Sequence, residues 1–185
     1  MIKTERLHLW ALERHDLGKN YQWANDMELT RLAGSLPLPK AMGELEAWYN
    51  NLQTNPEQRV LAIKLHDGAY IGNIELRDLD LRCANAELGI IIGEANYRGH
   101  GYGSEAVRAM CDFAFRQLRL HRLSVHVLEE NERALKMFQK CGFILEGVQR
   151  QAFFQEGRYW NVRALSLLED EYRPLPTQPT LSEED

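Results

Sequence analysis

Between an apolar run, Ile90-Ile91-Ile92, and a stretch of helical periodicity that begins at Ser104 stands Arg98-Gly99-His100-Gly101-Tyr102-Gly103. Three glycines at alternate positions leave this turn almost without Cβ atoms, so its N–H groups can converge on an anion. The helix that follows aims its positive end at the same point, which makes the turn a cradle for a pyrophosphate. The feature also limits topology. A strand that leaves through such a turn into a helix returns as a parallel neighbour, here the strand-like segment His121–Leu128, by a crossover. Ligands in such sheets bind at the carboxyl ends of the parallel strands, beside the helix N-terminus.

The other segments supply antiparallel partners. Arg6–Leu12 alternates like a strand, and Asp16–Leu32 is helical in pattern. After a break at Pro37 and Pro39, Met42–Leu52 is helical again. Arg59–His66 and Tyr70–Leu79 read as strands joined by the hairpin signal Asp67-Gly68, and a polar loop leads to the strand Ala86–Ile92. Past the glycine turn, Val107, Met110, Cys111, Ala114 and Leu118 form one apolar helical stripe. Asn131–Lys140 is a short helix ending at Gly142, and Phe143–Phe154 and Arg158–Leu168 form a last hairpin around Gln155-Glu156-Gly157. The fold class expected is α/β (α+β): one domain over residues 1–173 with a mixed, mostly antiparallel seven-stranded sheet flanked by helices. Residues 174–185, rich in proline and acid, are expected to be a flexible tail.

Composition narrows the function. A length of 185 residues, 44% of them hydrophobic, suits one full core. The net charge of −5, with no basic cluster, argues against a nucleic-acid partner. No apolar run nears the ~20 residues of a membrane span, so no membrane partner is expected. Three cysteines without paired spacing suggest neither a disulfide framework nor a metal site, and point to a reducing cytoplasm. A dinucleotide fold would place its glycines after the first strand, whereas here they follow a run of hairpins. A phosphate-loop NTPase would need Gly-Lys-Ser/Thr, and a kinase would need H-R-D and D-F-G; neither pattern occurs.

Asn96-Tyr97-Arg98-Gly99-His100-Gly101-Tyr102-Gly103 resembles the Q/R-x-x-G-x-G/A signature of the GNAT superfamily of acetyl-CoA-dependent N-acetyltransferases. The stretch from Asn131 to Gly142-Phe143 resembles the family's second signature, and Ala86-Glu87-Leu88-Gly89-Ile90 the strand before its cofactor turn. The likeness covers about Thr4 to Tyr172. Within the family, Thr4-Glu5-Arg6-Leu7-His8-Leu9 and Arg158-Tyr159-Trp160-Asn161-Val162 resemble the branch of ribosomal-protein alanine and spermidine N-acetyltransferases.

The resemblance implies a sheet with a central splayed strand pair, acetyl-CoA as cosubstrate without a metal, and a small-molecule or peptide amine as acceptor. The amides of Gly99, His100, Gly101, Tyr102, Gly103 and Ser104 would take the pyrophosphate, with Arg98 adding charge at the rim. Ile90, Ile91 and Ile92 would pair through their backbone with the pantetheine arm, and Gly89 reads as a bulge opening the splay or as an ordinary strand glycine. Asn131 reads as a helix N-cap and, by resemblance, as a pantetheine contact.

Glu87 is the candidate base for the amine and can also be read as a surface carboxylate. Phe138 stands where many relatives carry a tyrosine that protonates the leaving thiolate; Cys141, Tyr102 and Tyr159 are substitutes to consider. Acceptor residues are sought among Trp23, Trp48, Tyr49, Phe153, Phe154, Tyr159 and Trp160, with Asp26, Glu28, Glu44 and Glu46 as acidic candidates. Exposed apolar residues of the last hairpin leave a homo-oligomer open. A non-catalytic acyl-CoA-binding module is the alternative to an enzyme.

Overall fold

A computed structural model describes residues 1–35 and 38–174. Pro37 and the expected tail from residue 175 onward lie outside the described residues. The chain runs β1 (Ile2–Lys3), β2 (Leu7–Ala11), α1 (Leu17–Ala24), α2 (Met27–Leu32), α3 (Met42–Leu52), β3 (Arg59–Leu65), β4 (Tyr70–Asp80) and β5 (Asn85–Ile92). It continues with α4 (Tyr102–Arg116), β6 (Arg122–Leu128), α5 (Glu132–Lys140), β7 (Ile144–Gln155) and β8 (Arg158–Leu168). The strands form one sheet in the order β1-β2-β3-β4-β5-β6-β8-β7, antiparallel except for β5 and β6.

Among the described residues, eight strands replace the seven expected. The additional one, β1, pairs only Ile2 and Lys3 with β2, too few residues to show an alternation. The single helix expected over Asp16–Leu32 is two. Asp26 interrupts it by accepting hydrogen bonds from Glu28 N and Leu29 N, at 3.0 and 3.1 Å, and so starts α2 as its N-cap.

Alternation along β3 and β4 divides the core between two faces. Leu61, Ile63, Ile71, Ile74 and Leu76 join the α4 stripe of Ala106, Val107, Met110, Cys111 and Ala114 in the larger cluster. On the other face Val60, Ala62 and Tyr70 pack with Leu12, Trp23, Leu29 and Trp48 from α1–α3 and the loop before them. Beneath Trp23, Asn20, Tyr70 and Asn73 close a ring of side-chain hydrogen bonds, and burial pushes the Tyr70 phenol well above its usual ionisation range. The helix–sheet–helix layering leaves the middle of the sheet, where β5 meets β6, facing two sets of helices.

Candidate active site

The parallel pair β5–β6 is joined only at Asn85, Ala86 and Glu87, opposite Arg122, Leu123 and Ser124. Beyond Glu87, β5 stays with β4 as far as Ile92, while β6 stays with β8 as far as Leu128. The two strands therefore splay, and among the described residues the edge of β5 from Leu88 to Ile92 has no strand partner on that side. Gly89 makes no bulge. It pairs in register with Glu75, and a Cβ there would lie 2.9 Å from Glu75 Oε1, so glycine is what lets the carboxylate lie across β5.

Two cavities meet at the splay. A larger one of about 620 Å³ is lined by Ile90, Ile91 and Ile92, by Arg98, Gly99, Gly101, Gly103 and Ser104 of the turn, and by α5. The other, about 420 Å³, is lined by Glu75, Arg77, Glu87, His126, Trp48, Phe153 and Phe138 among others. Ile90, Ile91, Asn131 and Ala134 line both, which sets their boundary at the unpaired edge of β5.

The turn adopts the shape its glycines permit. Gly99 and Gly101 have φ of +88° and +86°, a left-handed backbone that other residues enter only with strain. Gly101 is the N-cap of α4. Gly103 sits in the first helical turn, where a Cβ would come within 3.0 Å of Met137 Sδ on α5. The turn is tied down from the start of the chain. Arg6 Nη1 donates to the His100 carbonyl at 3.0 Å, its Nε donates to Glu105 at 2.7 Å, and its guanidinium lies over the Tyr102 ring. Burial alone would raise the Glu105 pKa, but hydrogen bonds from Thr4, the Arg6 amide and the Arg6 guanidinium outweigh it and hold the carboxyl below its ordinary range.

Several sequence-derived candidates sit differently from expectation. Arg98 bends back and donates to the carbonyls of Ile92 and Gly93, at 2.9 and 2.7 Å, securing the end of β5 while still lining the larger cavity. The side chains of His100 and Tyr102 do not line the cavity, so the turn offers backbone there. Asn131, by contrast, caps α5 as expected, accepting from Ala134 N at 3.0 Å, and its Nδ2 donates to the Leu32 carbonyl at 3.1 Å. Phe138 is buried against Phe143, and one side of it reaches the smaller cavity.

Of the residues considered as substitute acids, Cys141 is buried, with its thiol pushed up by desolvation, and Tyr159 stands exposed on the last hairpin. Neither they nor Tyr102 lines a cavity at the splay. Of the acidic candidates, Asp26 and Glu44 cap helices and Glu46 faces Arg14; none of them, nor Glu28, lines the site. Trp48 and Phe153 do line it, whereas Trp23 and Trp160 are core and Tyr49 stacks near Arg14.

Glu87 does lie in the smaller cavity. Its Oε1 accepts from Arg77 Nη2 at 2.6 Å, and its Oε2 lies 3.1 Å from His126 Nδ1. Glu75, Arg77 and His126, absent from the sequence reading, complete this cluster. Three cations of α5, also absent from the sequence reading, stand at the other cavity: Arg133, Lys136 and Lys140 line it, and among the described residues no carboxylate pairs with them. Their spacing along α5 could have suggested a shared face, but nothing in the sequence says that this face meets the turn. Among the described residues no cluster of three or more His, Cys, Asp or Glu could hold a metal.

Comparison with known proteins gives the geometry a context. Residues 6–144 match the family described as acetyltransferase (GNAT) domain. A spermidine N(1)-acetyltransferase of Vibrio cholerae is 31% identical over 170 residues, covering 91% of this chain and 96% of the relative. The Escherichia coli K12 protein of the same name is 30% identical over 172 residues, 93% and 91% of the two chains. A crystal structure of the Vibrio cholerae spermidine N-acetyltransferase, in complex with CoA and spermine, superposes with a TM-score of 0.87 at 30% identity. It covers 91% of this chain and 99% of its own.

Proposed function

We infer the activity from the premise that this chain belongs to the GNAT acetyltransferase family. It is an acetyl-CoA-dependent N-acetyltransferase that moves the acetyl group directly to a primary amine, with both substrates bound together. The amine class best supported is the polyamine, since the relatives that match over nearly their whole length are spermidine acetyltransferases. The observation that carries the reading is the splay, because it joins a groove fit for a long phosphorylated thioester to a second cavity fit for an amine.

In the larger cavity the amides from Gly99 to Ser104 take the pyrophosphate, and Arg133, Lys136 and Lys140 offset phosphate charge from the facing helix. The pantetheine arm adds to the open edge of β5 at Ile90–Ile92 as a strand would. This brings the thioester to the boundary between the cavities. The acceptor enters opposite, where Glu75 and Glu87 supply negative charge and Trp48 and Phe153 supply apolar wall. An alkylammonium must shed a proton before it attacks, which near neutral pH costs on the order of 4–5 kcal/mol. Glu87 is the carboxylate of the deprotonating apparatus. No hydroxyl stands at Phe138, so the departing thiolate takes its proton from solvent or from the attacking nitrogen. Acetyl-CoA chemistry and the unpaired thiols of Cys83, Cys111 and Cys141 suit a cytoplasmic setting. Phe154 and Tyr159, exposed at the last hairpin, are where a second copy would sit.

Release of free thiol from acetyl-CoA, measured across a panel of polyamines, monoamines and peptides, tests this reading. Turnover is expected on at least one polyamine. The phenyl ring at Phe138 is the one feature favouring a binding module without turnover. Coenzyme A binding without thiol release on any amine would establish that alternative.

A further inference from the structure

We propose that His126 is the group that takes the proton from the acceptor amine, and that Glu87 acts by holding His126 for that task. The proposal rests on the acetyl-transfer reading above and names the atom that reading leaves open. Both oxygens of Glu87 are engaged, one by Arg77 at 2.6 Å and the other by His126 Nδ1 at 3.1 Å. Its position is thus fixed from β4 and from β6, and the ring is fixed with it. A carboxylate only accepts, so the neutral imidazole keeps its proton on Nδ1 and leaves its lone pair on Nε2. The side-chain nitrogen of Gln149 lies 3.3 Å from that Nε2. With that tautomer Nε2 accepts from Gln149, and an incoming ammonium N–H would take the place of this donor.

The setting favours proton acceptance and release. His126 lines the same cavity as Glu75, Glu87 and Trp48, and its side chain is 37% exposed, so a proton gained there passes to water. Across β5 lies Glu87, and beyond it on β4 lie Arg77 and Glu75. On β8 the residue opposite is Ala164, and β7 presents neutral Gln149. Arg122 on the same strand is committed to Glu146, and Arg163 of β8 to Glu132. Glu87 is therefore the carboxylate that stabilises the imidazolium.

One ammonium N–H bond breaks as the Nε2–H bond forms, which frees the nitrogen lone pair. That pair attacks the acetyl carbonyl, the C–S bond breaks, and sulfur leaves with its electrons. The nitrogen loses its second proton to the thiolate, directly or through water, and the imidazolium returns the first to solvent.

The test uses the full chain with acetyl-CoA and spermidine, or whichever amine of the panel is turned over, from pH 6 to 10. His126→Gln is expected to lower kcat at neutral pH by a hundredfold or more, within the range for a positioned base. KM for acetyl-CoA should stay within about twofold, the scale of an untouched cofactor groove. The deficit should shrink toward pH 10, where the amine sheds its own proton, and added imidazole should restore part of the rate of His126→Ala. Full activity in both variants would overturn the assignment to His126 alone. So would a loss that is uniform in pH and deaf to imidazole. A wild-type protein that binds coenzyme A but acetylates nothing would instead remove the parent reading, and this one with it.

Discussion

Gly101 is the residue at which one added atom tests the proposed cradle. Its φ of +86° leaves an added Cβ strained, and that Cβ would sit 3.3 Å from the Arg6 guanidinium that steadies the turn. Gly101→Ala is expected to destabilise the protein by about 1–2 kcal/mol and to weaken coenzyme A at least about tenfold, equivalent to about 1.4 kcal/mol. Gly18 in α1, where a Cβ meets nothing within 4 Å, is the matched control, and its alanine variant should bind normally. Denaturant midpoints and calorimetric titration measure both; unchanged affinity in Gly101→Ala would place the phosphates elsewhere. The sequence made these glycines conspicuous because their spacing is local. Glu75, Arg77 and His126 were hidden for the opposite reason. Each is a polar residue alternating with core residues on its own strand, the pattern of any solvated face, and only the order of strands brings them to Glu87.

At the scale of elements, the start of β2 is bolted to the start of α4 through Glu105. It accepts from the Thr4 hydroxyl at 2.6 Å and from the Arg6 amide at 2.9 Å, and it pairs with the Arg6 guanidinium. Because the folded carboxyl titrates below its ordinary range, its contribution is fully present above the unfolded value near ~4.3. That contribution is lost as pH falls through the lower folded value. Wild type should therefore lose more stability than Glu105→Gln when the pH drops from 6 to 3, compared by urea midpoints at each pH. Parallel behaviour of the two proteins would show that the bolt carries no charge-dependent weight. Element existence was largely legible from periodicity and from turn residues such as Asp67-Gly68 and Gly142. The break between α1 and α2 was less so, since an aspartate inside an amphipathic stretch reads equally well as a surface residue until its side chain is seen capping.

Over the whole molecule, the sheet divides into β1–β5 and β6–β8, held at the centre by three residue pairs and by the helices behind them. A crossover could be read from the glycine turn, but where the parallel pairing stops could not, because register between distant strands leaves no mark on local pattern. If coenzyme A fills the gap, the amides of Ile90–Ile92 that point away from β4 and those of Gly99–Ser104 should exchange with deuterium faster in the free protein and slow markedly when it is bound. At a hundredfold excess over Kd the ligand adds about 2.7 kcal/mol, a rise in Tm of about 5–10 °C for a chain of this size. Protection confined to β7 and β8 would contradict the assignment of the groove.

On the proposed reading, the open edge of β5 and the glycine turn would contact parts of the cosubstrate that do not change during the reaction. Spent carrier therefore leaves with nearly the same grip as fresh carrier arrives. Turnover should accordingly be throttled by accumulating coenzyme A, in competition with acetyl-CoA, so that the rate follows the ratio of the two rather than the supply of either.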